Sequence, residues 1–211
     1  MLPDGERFSD GDHIGGIEGT ARGLLGAERV ALNFLQRLCG VAALTRKFAD
    51  ELEGTGAKVT DTRKTTPGLR ALEKAAVVAG GGGNHRFALY DGILIKDNHI
   101  RLAGGITRAI ERAREGAPHT LKIEVETAHL AEVREALEAG ADIIMLDNMD
   151  NEMMAEAVRI VDGAALVEAS GNMSLERVRD VGLLGVDLIS VGALTHSAQA
   201  VDISLELELL D

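Results

Sequence analysis

Gly140-Ala141-Asp142-Ile143-Ile144-Met145-Leu146-Asp147 is echoed 45 residues later by Gly185-Val186-Asp187-Leu188-Ile189-Ser190-Val191. In both stretches a glycine and an acidic residue lead into a short, mostly apolar run, the pattern of a buried parallel strand. A separation of 45 residues fits two strand-plus-helix units. Further runs of this kind predict strands at Lys58–Thr62, Ile93–Lys96, Leu121–Glu126, Asp142–Asp147, Ala165–Ala169 and Leu188–Gly192. The segments between them have helical spacing, as in Leu130, Val133 and Leu137. Alternating strands and helices require a parallel sheet, and repeated units without a dinucleotide glycine fingerprint favour a barrel over a doubly wound sheet. Six strands are too few for a closed eight-stranded barrel. The expected fold is therefore α/β, an incomplete, six- to seven-stranded TIM-like barrel.

Upstream of this region, Val30, Phe34, Leu38, Val41, Leu44, Phe48 and Leu52 recur three or four apart, predicting one long amphipathic helix that starts at Glu28 and stops at Gly54. Residues 1–27 are glycine-rich and predict loops and short strands. At 211 residues with a 45% hydrophobic fraction, the chain has room for one large domain, or for one domain with a small appendage. It contains no apolar run near the ~20 residues of a membrane span and no leader-like start, so a cytoplasmic protein without a membrane partner is expected. The single Cys39 excludes an intrachain disulfide and is expected as a buried thiol. Nucleic acid is not an expected partner, because the net charge is −12 and aromatic residues are 2% of the chain.

A barrel of this class carries its chemistry where the strands end. Arg63 and Lys64 follow the first predicted strand, Lys96 and Asp97 the second, Glu126 the third, Asp147 and Asn148 the fourth, Ser170-Gly171-Asn172 the fifth and Gly192 the sixth. Glu126, Asp147, Ala169 and Val191 are 21, 22 and 22 residues apart and so occupy equivalent places in successive units. The stretch from Thr60 to Arg101 holds seven Lys/Arg against four Asp/Glu, a local surplus of positive charge in an acidic protein. That reversal predicts an anion pocket. Guanidinium groups suit a planar dicarboxylate because they donate paired hydrogen bonds in a fixed fork, and Arg63, Arg86 and His85 have that character. The competing assignment pairs Arg63 and Arg86 with Asp61 and Asp91. Glu126 and Asp147 suit ribose hydroxyls or a water-bridged Mg2+, or else the acid and base of a hydrolase. The Gly80–Gly83 run lacks the Lys-Ser/Thr of a nucleotide-binding loop and is expected to pack tightly and shape the loop that presents His85 and Arg86. The methionines at 145, 149, 153 and 154 are expected in the core, and His13, His119 and His129 in solvent.

Asp61-Thr62-Arg63-Lys64-Thr65-Thr66-Pro67-Gly68-Leu69-Arg70, Asn84-His85-Arg86 and Ile95-Lys96-Asp97-Asn98-His99, in that order, resemble the quinolinate phosphoribosyltransferase family from about Gly5 to the C-terminus. The resemblance implies transfer of phosphoribosyl from 5-phosphoribosyl 1-pyrophosphate to quinolinate, with decarboxylation, to give nicotinate mononucleotide. It places Thr62, Arg63, His85, Arg86 and Lys96 around quinolinate and Lys64 beside the pyrophosphate. Glu126 and Asp147 are implied at the ribose and Mg2+, and Ser170-Gly171-Asn172 with Val191-Gly192-Ala193 at the 5-phosphate. Lys64, Lys96, Glu126 and Asp147 are the implied catalytic residues. Arg29 resembles an arginine that reaches a neighbouring subunit's site, which implies a homodimer or higher homo-oligomer. In the predicted first turn of the helix that arginine is opposed by the helix dipole, which favours an external anionic partner.

The implied organisation is a remnant of an N-terminal α/β sandwich at 1–27, the linking helix at 28–56, the barrel at 57–195, and a segment at 196–211 that completes the N-terminal domain or caps the barrel. The family carries a further N-terminal stretch of some tens of residues with no counterpart here. Two alternatives stay open: a related pyrophosphorylase acting on another carboxylated ring, and a non-catalytic or partner-dependent homologue.

Overall fold

Thr20 starts the first element of the computed structural model, which describes residues 1–209. Its backbone is extended and its hydroxyl accepts the Gly23 N–H at 3.3 Å, capping helix α1 (Ala21–Glu51). The helix begins seven residues before the expected Glu28, because a capping threonine followed by helix-forming Ala21, Arg22, Leu24 and Leu25 outweighs the glycines at 23 and 26. The expected short strands before it do not form. Residues 1–20 are loops, tied to the far end of α1 by an Arg7–Asp50 ion pair at 2.7 Å.

All six expected strands are present: β1 (Lys58–Thr60), β2 (Ile93–Ile95), β3 (Ile123–Thr127), β4 (Ile143–Asp147), β5 (Leu166–Ser170) and β6 (Leu188–Ser190). Between and after them come α2 (Arg70–Ala79), α3 (Asp97–Ala103), α4 (Ile106–Gly116), α5 (Leu130–Glu138), α6 (Asn151–Val161), α7 (Leu175–Gly182) and the single turn α8 (Ala193–His196). Every strand pair is parallel, in the order β1-β6-β5-β4-β3-β2. The first strand in sequence thus pairs with the last, and the sheet curls round an interior. It is not sealed between β1 and β2. There Gly83 makes one parallel bridge to Thr60, a rudiment of a seventh strand, and the rest of the seam is spanned by the loop from Asn84 to Gly92. Glu126 lies beside Met145, and Asp147 beside Ser170, so residues equivalent in the repeat are displaced by one or two positions between neighbouring strands, as barrel curvature requires.

Side chains alternate along each strand, and here the two faces differ in kind. Val59, Val125, Ile144, Leu146, Val167, Ala169 and Ile189 face the helices and belong to the buried apolar core. Each fully buried Val, Leu or Ile side chain of this set contributes about 1.5–3 kcal/mol. The alternate positions carry Thr60, Glu124, Glu126, Asp147, Glu168 and Ser190. Glu124 of β3 and Glu168 of β5 meet although β4 separates their strands, which places them inside the barrel. Met145, Met149 and Met154 are buried and Met153 packs on the core, as expected; Cys39 is half-buried. His13, His119 and His129 are exposed.

The glycine run packs as its composition predicts. A Cβ on Gly80 would stand 2.4 Å from the Ala42 carbonyl oxygen, and one on Gly82 would stand 2.7 Å from Thr45 Cγ2. The chain after α8 returns along α1, where Val201 N–H donates to the Gln36 carbonyl and Gln36 Nε2 donates to the Ile203 carbonyl at 2.8 Å. Arg37 donates to the carbonyls of Ala198 and Thr195 and pairs with the buried Glu73 at 2.9 Å. The segment expected at 196–211 therefore lies on the linking helix over its described part; its last two residues fall outside the described residues. No helix among the described residues is long and apolar enough to cross a membrane.

Candidate active site

The loop after β1 and the loop that spans the seam are held together by two anchors. Lys74 of α2 is buried and paired at 2.5 Å with Asp61, which is fully buried; it also donates to the His85 carbonyl at 2.8 Å. Asp61 accepts the His85 N–H at 2.9 Å, and burial raises its pKa even though Lys74 pulls it down. Arg70 is the second anchor, donating to the carbonyls of Arg63 and Phe87. Asp91 closes the seam loop on itself by accepting the Phe87 and Ala88 N–H groups at 2.5 and 2.8 Å. Burial raises its pKa, but the Ala88, Phe87 and Asp91 peptide N–H groups and the charge of Lys74 together hold it below the ordinary value.

The consequence is that Asp61 and Asp91 are spent on the scaffold, and the pairing of Arg63 and Arg86 with them is overturned. Among the described residues neither arginine forms an ion pair with a carboxylate. Burial lowers the Arg86 pKa, and the charge of Arg63 lowers it further, so two guanidinium groups bear on the same space. The charges of Glu124 and Asp91 oppose this shift without forming an ion pair to Arg86, and two half-buried like charges suit a dianion.

At the mouth, Lys96 Nζ is 2.8 Å from Glu126 Oε2, joining the ends of β2 and β3. Asp147 ends β4, and its Oδ2 accepts from Asn148 Nδ2 at 2.8 Å. Asn148, at φ 55, accepts in turn from Asn172 Nδ2 at 3.1 Å. Gly171 has φ +91, and a Cβ there would lie 2.2 Å from Asn148 Oδ1, so this turn needs glycine. Asp147 is thereby joined to the Ser170-Gly171-Asn172 turn. On the other side, Thr195 Oγ1 donates to the Lys64 carbonyl at 2.8 Å, and a Cβ on Gly192 would be 3.2 Å from Lys64 Cδ. Lys64 and the Val191-Gly192-Ala193 turn are thus in contact. Thr62 accepts the Lys64 N–H at 3.0 Å. Glu126 and Asp147 fit Mg2+, because each keeps one carboxylate oxygen outside these hydrogen bonds and oxygen is the donor that ion takes.

A cavity of about 660 Å³ lies toward the end of the barrel where the strands begin, lined by Lys58, Ile93, Ile143 and Leu188 and reaching Thr60, His85, Arg86, Glu124 and Glu168; the mouth residues Lys64, Lys96, Glu126 and Asp147 do not line it. His85 is the surprise. Its ring turns down into the barrel, where Nε2 is 3.0 Å from Glu124 Oε2 and 3.7 Å from Glu168 Oε1, while Nδ1 accepts the Arg86 N–H at 2.7 Å. Glu168 is pushed up to about 7, first by burial and then by the charge of Glu124, against the pull of His85 and the Ser190 hydroxyl. Sequence reasoning missed Glu124 and Glu168, and it placed Asn148 at the end of the fourth strand without giving it a role. The signal for Glu124 was present, since it lies two residues before Glu126 and so on the same face of β3.

Arg29 is exposed and makes no hydrogen bond or ion pair with these groups. Because α1 starts at Ala21, Arg29 lies in its third turn, beyond reach of the dipole effect invoked for a first-turn residue.

Residues 41–206 match the family model for the quinolinate phosphoribosyl transferase C-terminal domain, and residues 1–39 that for its N-terminal domain. The chain belongs to the quinolinate phosphoribosyltransferase family. It is 47% identical over 206 residues to a Bacillus subtilis protein named probable nicotinate-nucleotide pyrophosphorylase [carboxylating], covering 98% of this chain and 71% of that one. It is 44% identical to tobacco quinolinate phosphoribosyltransferase [decarboxylating] 2a, mitochondrial, covering 97% of this chain but 63%, less than two thirds, of the relative. Among solved structures, NadC from Streptococcus pyogenes superposes with a TM-score of 0.96 at 46% identity, covering all of this chain and 74% of that one. A NadC deletion mutant gives the same TM-score at 47% identity. Within this family, the two matches divide the chain inside α1 rather than at either of its ends.

Proposed function

We propose that the chain transfers phosphoribosyl from 5-phosphoribosyl 1-pyrophosphate to quinolinate and decarboxylates the product to nicotinate mononucleotide. The observation that carries this reading is the pair Arg63 and Arg86, two guanidinium groups without carboxylate partners beside a carboxylate-bearing barrel mouth. They hold the dicarboxylate so that the ring nitrogen faces C1 of the sugar. The nitrogen lone pair forms the new bond to C1 as the C1–O bond breaks, and its electrons leave with pyrophosphate. The C–COO⁻ bond next to the now cationic nitrogen then breaks, its electrons stay on the ring carbon, CO2 departs, and the carbon takes up a proton. Glu126 and Asp147 would hold Mg2+, which when bound would supply positive charge to the leaving pyrophosphate.

Lys64 adds a positive charge near the phosphates. Glu126 and Asp147 face the developing positive charge on the sugar, and Lys96, joined to Glu126, is placed to assist loss of the carboxyl group. The turns Ser170-Gly171-Asn172 and Val191-Gly192-Ala193 offer backbone N–H groups to the 5-phosphate. Thr62 and His85 complete the quinolinate side, and Arg29 reaches the site of a second copy in a homodimer. A cytoplasmic location fits this substrate pair.

The test is to incubate the purified chain with quinolinate, the sugar donor and Mg2+ while following pyrophosphate and CO2. Equimolar release of both is expected. Pyrophosphate release with nicotinate, and none with quinolinate, would assign the site to a different carboxylated ring.

A further inference from the structure

Glu73 and Lys74 are neighbours on α2, both buried and opposite in charge, yet they serve different loops. Lys74 holds Asp61 and the His85 carbonyl, and with them the seam loop that carries Arg86. Glu73 turns to the loop after β1. Its Oε2 accepts the Thr66 N–H at 2.9 Å and its Oε1 the Thr66 hydroxyl at 2.8 Å, while Arg37 of α1 donates to Oε1 through Nε and Nη2. The same guanidinium donates to the Thr195 carbonyl from Nη2 and to the Ala198 carbonyl from Nη1. Thr195, fully buried in α8, closes the circuit: its Oγ1 donates to the Lys64 carbonyl at 2.8 Å. Lys64, Thr65, Thr66, Glu73, Arg37 and Thr195 thus form one ring of peptide and hydrogen bonds, drawn from α1, α2, α8 and the loop after β1.

The backbone of Lys64 is what this ring fixes. Thr195 holds its carbonyl, Thr62 accepts its N–H, and Glu73 holds the chain two residues further on. The Lys64 side chain is exposed and pairs with no carboxylate among the described residues. The Thr195 hydroxyl also lies 3.2 Å from the Gly192 carbonyl, which accepts the Thr195 and His196 N–H groups as well. One hydroxyl therefore touches both Lys64 and the Gly192 turn. A buried ion pair gains little net stability, because desolvation offsets its attraction; what distinguishes Arg37 and Glu73 is the geometry they impose.

We propose that Arg37, Glu73 and Thr195 are positioning residues for the sugar donor: their ring sets Lys64 against the Gly192 turn, and so fixes the spacing between the pyrophosphate and 5-phosphate subsites. This rests on the reading of those two subsites given above. Quinolinate is governed by a separate circuit, since the Arg86 loop depends on Lys74 and Asp61, and the Arg63 carbonyl on Arg70. The two ligands are therefore separable by mutation away from either of them.

Thr195→Val keeps the side-chain shape and removes the hydroxyl donor. In calorimetry it should weaken 5-phosphoribosyl 1-pyrophosphate with Mg2+ about three- to tenfold, the worth of one hydrogen bond, and leave quinolinate affinity within about twofold. Thr195→Ser, which returns the hydroxyl, should recover donor binding. Equal losses for both ligands, or unchanged donor binding in Thr195→Val, would overturn the proposal. A second arm needs no ligand. Glu73→Gln has one acceptor oxygen where the carboxylate has two, so hydrogen exchange followed by NMR should quicken at the Thr66 N–H while the His85 N–H, held by Asp61, keeps its protection. Exchange that quickens equally at both loops, or stays unchanged at Thr66, counts against the ring. If the wild-type chain binds neither ligand, it is the proposed function that falls, and the exchange pattern alone decides whether the ring holds the Lys64 loop.

Discussion

Arg86 stands where three influences meet: partial burial, the charge of Arg63, and the His85 ring that accepts its peptide N–H. Arg86→Ala is expected to weaken quinolinate by about 2–5 kcal/mol, the range for truncating one partner of a buried charge contact. The sugar donor should lose far less, and equal losses in calorimetry would end that division of labour. Asp147→Asn is expected to lower turnover and change the Mg2+ dependence while quinolinate still binds; an unaltered Mg2+ titration would remove Asp147 from the metal. The Lys74–Asp61 pair carries structure rather than chemistry. Lys74→Met should cost about 3–5 kcal/mol in denaturant unfolding, because it strands a buried carboxylate. Glu168 has an opposite, pH-linked signature. Its folded pKa, about 7, lies above its unfolded value, so the folded chain holds an extra proton between the two. That contribution is complete below the unfolded pKa and is lost as pH rises through about 7. Wild-type stability should therefore fall relative to Glu168→Gln from about pH 5 to about pH 8 in urea titrations.

The elements themselves were largely legible, because each strand is a short apolar run between turn signals, and the six runs fall within a few residues of the six strands. Ends were less legible than existence. Gly23 and Gly26 hid the first two turns of α1, whose start depends on the Thr20 cap, a contact of one hydroxyl with one peptide. The inner face of the barrel was hidden for a different reason. Glu124 and Glu168 sit in runs whose outward residues are apolar, and nothing local shows that two carboxylates 44 residues apart will meet. Motif order placed Arg63 and Arg86 near a common ligand, but only packing shows that Lys74 and the seam loop take the competing aspartates. One contact between elements admits a direct test. A Cβ on Gly40 would stand 1.9 Å from the Gln199 carbonyl oxygen, so Gly40→Ala should pry the returning C-terminal segment off α1. A loss of about 1–3 kcal/mol, with faster proteolysis near Ala200, is the expected result; unchanged stability and cleavage would show that the segment is not held there.

At the scale of the molecule, α1 leaves Leu25, Val30 and Phe34 exposed at 58%, 61% and 42%, in the same half of the helix as Arg29. If a second copy covers this half, Val30→Asp should dissociate the dimer in sedimentation experiments and weaken quinolinate together with it. A Val30→Asp protein that stays dimeric and binds normally would remove that half of α1 from the interface. The pairing of β1 with β6 has a consequence in time. Val59 meets Ile189, so the ladder that joins the first strand to the last cannot form until 130 further residues have been synthesised. The ladders β2–β3, β3–β4 and β4–β5, by contrast, join consecutive strands and can form as each one emerges. Until β6 arrives, β1 waits on the growing chain with its ladder groups open to other strands. The order of synthesis thus makes this join the late, slow step of folding, and the stretch around Lys58–Thr60 the part of the newborn chain most in need of a chaperone.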